Sequence, residues 1–244
     1  MNLRRTKPAD NAPSGQEIGS AVEVYAELRA AIVDHRLPPG TKLREQEIAA
    51  SFGVSRTIVR EVLIGLIRDR LVVQQHNRSA EVARPDWSEA RHIFAARELI
   101  EGEVVRQLCE HCQPPQLAVL RELMEQELQA AARGDKAEAI RLSGEFHLQI
   151  ARFAGNPVMS DLLRELVSRS SLLFALYHRA GEPMCVSHDH ERLLDAIASG
   201  DGDKARAEMT AHLGEIETRL QPLEPGATPT LARLLGRSPA RRKS

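Results

Sequence analysis

Aromatic residues make up only 3% of this 244-residue chain, and there is a single tryptophan. Sheets draw on aromatic and β-branched side chains, so this scarcity, beside abundant Ala, Leu, Arg and Glu, points to helices. Cysteine is scarce too: Cys109, Cys112 and Cys185 are all there are. An odd, small number argues against a disulfide framework. Cys109 and Cys112 have the spacing of half a zinc site or a redox pair, yet no second pair answers them. They read as two semi-buried thiols near a helix end. No apolar run approaches the length of a spanning helix, so a membrane is not an expected partner. The first residues, MNLRRTKPADNAPSGQE, are basic with no apolar segment behind them, unlike a secretory signal. The expected compartment is the cytoplasm.

The chain also lacks a strong charge of either sign, with a net charge of −1. The small imbalance is uneven: the first 84 residues lean basic and the remainder leans acidic. A basic module joined to an acidic one suits nucleic-acid binding coupled to something else. Residues 1–17 are polar and expected to be disordered. Residues 18–84 form a first domain and 85–222 a second. Residues 223–244 are expected to be a mostly disordered tail, with TLARLL as a possible short helix.

Within the first domain, Val22, Tyr25, Leu28, Ile32 and Val33 form a helical stripe. A short helix over 45–52 turns Ile48, Ala49 and Phe52 inward. Gly53 stands where a helix closes in the left-handed region, and Ser55 can cap the next helix. That helix packs through Val59, Val62, Leu63 and Leu66, and leaves Arg56, Thr57 and Arg60 exposed at its start. LVVQQ (71–75) and AEVAR (80–84) read as two short strands around a polar turn. Helix, sharp turn, helix and hairpin make a winged helix-turn-helix. In such a unit the start of the second helix meets base edges in the major groove; the plainer alternative is a solvated basic face on an ordinary helical hairpin. Arginine can hold guanine O6 and N7 with two bonds, and threonine can bond a base or touch a thymine methyl. His76, Asn77 and Arg78 form the wing tip, placed to reach a minor groove or phosphates, or polar only because turns are.

The run LPPGTKLREQEIAASFGVSRTIVREVLIGL resembles the DNA-binding domain of the GntR family of bacterial transcription regulators. The resemblance covers residues 19–84. It implies that Ser55, Arg56, Thr57 and Arg60 contact DNA, with Arg44 and Gln46 near the backbone and His76 and Asn77 at the wing. Ile58 stands where proline is common, and Arg70 and Ser79 stand where glycine is common.

From Asp86 onward the pattern is helical only, broken at Pro114-Pro115, Gly134-Asp135, Gly155-Asn156-Pro157, Gly181-Glu-Pro183 and Gly200-Asp-Gly202. The fold class is therefore mainly α, with an antiparallel bundle of about six helices behind the winged module. Three histidines lie on apolar stripes of three different helices: His147 with Ile140, Ser143 and Ile150; His190 with Leu193, Leu194 and Ile197; His212 with Ala205, Met209 and Ile216. Each imidazole could be a separately hydrogen-bonded core residue. Alternatively one divalent ion, zinc or nickel most readily, satisfies all three, since neutral imidazole is a good ligand for such ions. His92, His111 and His178 show no comparable setting. Arg97 shares an inward stripe with Ile93, Ile100 and Val104, and a buried guanidinium needs an acid. That acid is either Glu101, one turn on, or a bound carboxylate.

Residues 86–220 resemble the ligand domain of the FadR subgroup of GntR regulators, through RELIEGEVVRQL (97–108), GEFHLQIARFAGNP (144–157), HERLLDAIASGD (190–201) and AEMTAHL (207–213). The resemblance implies a metal held by an Asp four residues before the first His and by three His. Here the Asp position is Ser143, a poorer ligand, and Glu145 points to a different face. It also implies a small organic acid as effector. Arg97 and Ser143 are expected beside that acid, and a homodimer on a palindromic double-stranded operator is expected because two copies of a small module add specificity that one cannot supply. Two rival readings remain at this stage. One is a metal-dependent enzyme fused to a DNA-binding module, and the other is a DNA-binding protein without a ligand.

Overall fold

A computed structural model describes residues 20–75, 78–178 and 187–221. The expectations for both chain ends, for His76 and Asn77, for Cys185 and for the break at 181–183 lie outside the described residues.

The first module consists of α1 (Ala21–Val33), β1 (Lys42–Leu43), α2 (Glu45–Phe52), α3 (Arg56–Arg68), β2 (Val72–Val73) and β3 (Ala80–Val82). Local chemistry sets these boundaries. Ser20 and Glu23 form a reciprocal capping box that starts α1. Gly53 ends α2 at φ 68°, and the Ser55 hydroxyl accepts from the Ile58 N–H at 3.3 Å to start α3. Arg70 sits at φ 56°, in the left-handed region, so an arginine bears the strain that a glycine would avoid there. The expected hairpin is part of a larger unit. The sheet has three antiparallel strands in the order β1-β3-β2. β1 escapes a periodicity search because it has two residues. It forms because Leu43 is buried opposite Ala80 while Lys42 pairs with Glu81 across the ladder.

The second module runs α4 (Trp87–Cys109), α5 (Pro114–Ala132), α6 (Lys136–Ala154), α7 (Pro157–Tyr177), α8 (Ser187–Ser199) and α9 (Gly202–Arg219). Asp86, Asp135, Asn156 and Asp201 each accept a backbone N–H at the third helical position, satisfying donors that a helix start leaves unpaired. The core of this bundle includes Phe94, Leu108, Leu120, Phe146, Ile150 and Leu163, all buried. Among the described residues no helix is long and apolar enough to cross a membrane.

The two modules touch through α1 and α7. Leu172 of α7 belongs to the apolar cluster of the first module, beside Val24, Leu28 and Leu66. His35 Nε2 lies 2.7 Å from the Ser171 carbonyl, and Arg29 donates to the Ser168 hydroxyl. Tyr177 donates its hydroxyl to the Pro85 carbonyl at 2.9 Å and meets Trp87 edge-on, pinning the connection between modules.

Candidate functional site

The start of α3 is open to solvent, with the side chains of Arg56 and Arg60 61% and 59% exposed. Thr57 beside them is also exposed. Both arginines are held by one carboxylate that sequence reading did not single out. Arg56 Nη2 reaches Glu45 Oε2 at 3.0 Å, and Arg60 Nε reaches Glu45 Oε1 at 3.0 Å. The Glu45 pKa is held down by Arg60 and Arg56. Such exposed pairs are weak, so Glu45 orients the two guanidinium groups without burying them. Arg44 is exposed and bonded to Glu47 at 2.7 Å, and Gln46 is exposed at the start of α2. Ser55 is engaged as the cap of α3, through its oxygen.

In the helical module, α6, α8 and α9 bring His147, His190 and His212 together, each at most 2% exposed. His190 Nε2 and His212 Nε2 are 3.1 Å apart, and His212 Nε2 and His147 Nε2 are 3.3 Å apart. The opposite nitrogens of two rings face carboxylates. His147 Nδ1 is 2.5 Å from Glu101 Oε2, and His190 Nδ1 is 3.0 Å from Glu127 Oε2. Arg97 Nε donates to the other oxygen of Glu101 at 2.7 Å. Of the two partners weighed for Arg97, Glu101 is therefore the one engaged. Phe146 stacks on the His190 ring with centroids 4.2 Å apart and packs against His147, so the rings have little freedom to turn.

Protonation follows from this geometry. Burial alone would raise the Glu101 pKa, but the Arg97 guanidinium and the His147 imidazole bring it down to about 2. Burial pushes the His147 pKa down, against the pull of Glu101. A neutral His147 facing a carboxylate carries its proton on Nδ1, which leaves a lone pair on Nε2. His190 likewise turns Nδ1 toward a carboxylate, that of Glu127, and Nε2 toward His212. The Nε2 atoms of His147 and His190 thus both aim at His212 Nε2. A divalent cation between the three nitrogens would satisfy all of them. Histidine ligands to metals are commonly oriented by a carboxylate on the far nitrogen in just this manner. The donor set, three imidazoles with no carboxylate among the converging atoms, suits zinc or nickel better than calcium or magnesium.

Beside this cluster is a cavity of about 230 Å³. Its wall runs from the buried His147 and Arg97 through Ser143, one turn before His147, to Arg141 on α6, to Arg29 on α1 and to Asp34 just past the end of α1. Arg141 is bonded to Glu138 at 2.7 Å. Glu145 also borders the cavity, but it is paired with Arg152 and stays out of the histidine cluster. Sequence reading missed Glu127 and Arg29 and saw Glu101 only as a partner for Arg97. The signal for Glu127 was present: it continues the buried stripe of Leu120 and Ala130 on α5, where an acid needs a reason. Cys109 and Cys112 are free thiols at the end of α4, and burial lifts the Cys109 pKa to about 11. That favours the unreactive thiol.

Comparison with known proteins gives a consistent picture. Residues 20–82 match the model for bacterial regulatory proteins of the gntR family, and residues 92–215 match the FCD domain. The chain is 27% identical over 195 residues to the HTH-type transcriptional repressor RspR of Escherichia coli K12, covering 80% of this chain and 86% of that protein. It is 28% identical over 220 residues to the HTH-type transcriptional repressor NanR of Salmonella schwarzengrund, covering 79% and 81%. Among solved structures, E. coli McbR/YncC superposes with a TM-score of 0.72 at 24% identity, covering 80% of this chain and 93% of that one. A putative GntR transcriptional regulator from Rhodococcus sp. RHA1 gives 0.71 at 26% identity, covering 82% and 96%.

Proposed function

The chain belongs to the GntR family of bacterial regulatory proteins, with an FCD domain behind its DNA-binding module, and from that premise we propose that it is a FadR-subgroup regulator whose hold on its operator is set by a small organic acid bound beside a divalent metal. It is a regulator and not an enzyme, as its named relatives are regulators. It works as a cytoplasmic homodimer on a palindromic duplex, because two copies of so small a reading head add specificity that one lacks. Arg56, Thr57 and Arg60 read base edges. Ser55, Arg44, Gln46 and the wing residues His76 and Asn77 steady the module on the backbone.

What carries this proposal is the convergence of three Nε2 atoms, with the far nitrogens of two of the rings, His147 and His190, facing buried carboxylates. When bound, zinc or nickel supplies a Lewis-acidic point for a carboxylate ligand. The protein's own residues do the rest. Glu101 and Glu127 hold protons on Nδ1 of His147 and His190, and Arg97 offsets the charge of Glu101. Ser143 offers a hydroxyl to the ligand. An acid that prefers one arrangement of the modules shifts operator affinity by a coupling energy of ~1–3 kcal/mol.

Two measurements test the proposal. Elemental analysis of purified protein is expected to find one divalent ion per chain, lost in His147→Ala and His190→Ala. Selection from a random duplex pool is expected to return a palindrome. Absence of metal from protein purified without chelator and then supplied with zinc or nickel would remove the metal claim. Failure to enrich any duplex would remove the DNA claim.

A further inference from the structure

Every charged group on the cavity wall except one is matched within the protein. Arg97 is bonded to Glu101 at 2.7 Å and Arg141 to Glu138 at 2.7 Å. Of the acids, Glu127 faces His190 at 3.0 Å, Glu145 pairs with Arg152, and Asp34 lies 3.5 Å from Arg36. Arg29 is the exception. It is half-buried, and among the described residues it has no carboxylate partner; its contact is a hydrogen bond to the Ser168 hydroxyl. Ser168 is itself fixed, donating to the Arg164 carbonyl at 2.6 Å, so the guanidinium is held in place. Burial pushes the Arg29 pKa down, as expected of a cation under-compensated where it sits. A guanidinium removed from water in this way calls for an anion.

Arg29 belongs to α1, in the DNA-binding module, whereas His147 belongs to the helical module. Both line the same cavity. We propose that Arg29 is the second anion-binding residue of the effector site, so that the effector is a small dicarboxylic acid lying between the histidine cluster and the DNA-binding module. This inference rests on the acid-binding function proposed above and adds two things to it: the second charged group of the ligand, and the module that receives it. The cavity volume of about 230 Å³ has room for roughly eight water-sized groups, about the bulk of a four- or five-carbon diacid. The apolar part of the wall, from Ile140, Leu148, Val167 and Phe174, suits the methylene spacer of such a molecule. The ligand then joins α1 to α6 directly. α1 packs on α3, with the Tyr25 ring 3.2 Å from where a side chain on Gly65 would begin. Occupancy is therefore felt by the helix that carries Arg56 and Arg60.

The test is calorimetric titration of zinc-loaded, full-length protein with matched pairs of acids: succinate against butyrate, and glutarate against valerate. The native protein is expected to bind each diacid at least tenfold more tightly than its monoacid. Arg29→Gln is expected to lose roughly ten- to a hundredfold toward the diacids, the scale of a hydrogen bond to a charged group, while binding the monoacids as before. Arg29→Lys keeps the charge without the fork and is expected to fall between; it carries the test if the glutamine variant fails to fold. Equal affinity for monoacids and diacids, or a diacid preference that survives in Arg29→Gln, overturns the role of Arg29 and leaves acid binding standing. Failure of every acid of both classes to bind overturns the acid-binding function itself, and this inference with it.

Discussion

Replacing Glu101 with Gln keeps the shape of the side chain and removes one negative charge from a fully enclosed place. Its two oxygens lie 2.7 Å from Arg97 Nε and 2.5 Å from His147 Nδ1, and the residue is 1% exposed. In the variant, Arg97 is a buried cation without a counter-charge. Removing one partner of a buried pair costs ~3–5 kcal/mol. At roughly 2–4 °C per kcal/mol for a chain of this size, the melting point falls on the order of 10 °C. A second effect is separable from the first. The glutamine amide no longer holds the His147 proton on Nδ1, and losing such an outer partner lowers metal affinity by ~10–100-fold. Thermal melting in the presence of chelator reads the first effect, and competition with a zinc-binding dye reads the second. The double variant Glu101→Gln, Arg97→Met then divides them: stability recovers in part because no bare cation is left, whereas metal affinity does not. If Glu101→Gln folds and holds zinc as tightly as the native protein, the carboxylate does not set the state of His147, and the assignment of a lone pair to its Nε2 is wrong.

Other consequences are more local. Arg56→Ala and Arg60→Ala are each expected to cost ~1–3 kcal/mol on a selected duplex and much less on random DNA; equal losses on both would mean contact with phosphate only. Glu45→Gln removes the carboxylate that competes for both arginines, so DNA binding tightens at low salt and the gain shrinks as salt rises; a gain that salt leaves untouched would refute this. Burial and the hydrogen bond to Asp69 raise the Tyr25 pKa to about 12, from an ordinary value of 10.0. A folded-state pKa above the unfolded one means a stabilising contribution intact below pH 10.0 and lost as pH climbs toward 12. Tyrosinate absorbance should show Tyr25 ionising late, and Tyr25→Phe should flatten the loss of stability in that window.

Much of the fold can be read from the chain because its helices announce their own ends. Ser55, Asp135, Asn156 and Asp201 are side chains whose oxygens suit helix starts, and Gly53 and Gly155 suit helix ends at φ 68° and 80°. The face carrying His147, Ile140 and Ile150 follows from a 3.6-residue period, and so do those of His190 and His212. What periodicity does not encode is which side chains meet across helices. Glu127 meets His190 across sixty-odd residues of chain, Glu45 reaches from one helix to two arginines on the next, and β1 exists only as the partner of β3. Arg29 gave no signal at all, because on its own helix it is one more half-exposed arginine. Its setting appears only when α7 packs against α1.

Leu172 gives the two halves a shared thermodynamic fate. It is fully buried, and it sits in the apolar cluster of the DNA-reading half although it is borne by a helix of the other. Excising the first half from the chain strips one wall from that half's interior and leaves a hole where a leucine was, a defect that typically costs ~2–5 kcal/mol when made by truncation of a side chain. Heating the intact chain should accordingly yield a single cooperative transition, and an isolated reading head should melt earlier than its own contacts suggest.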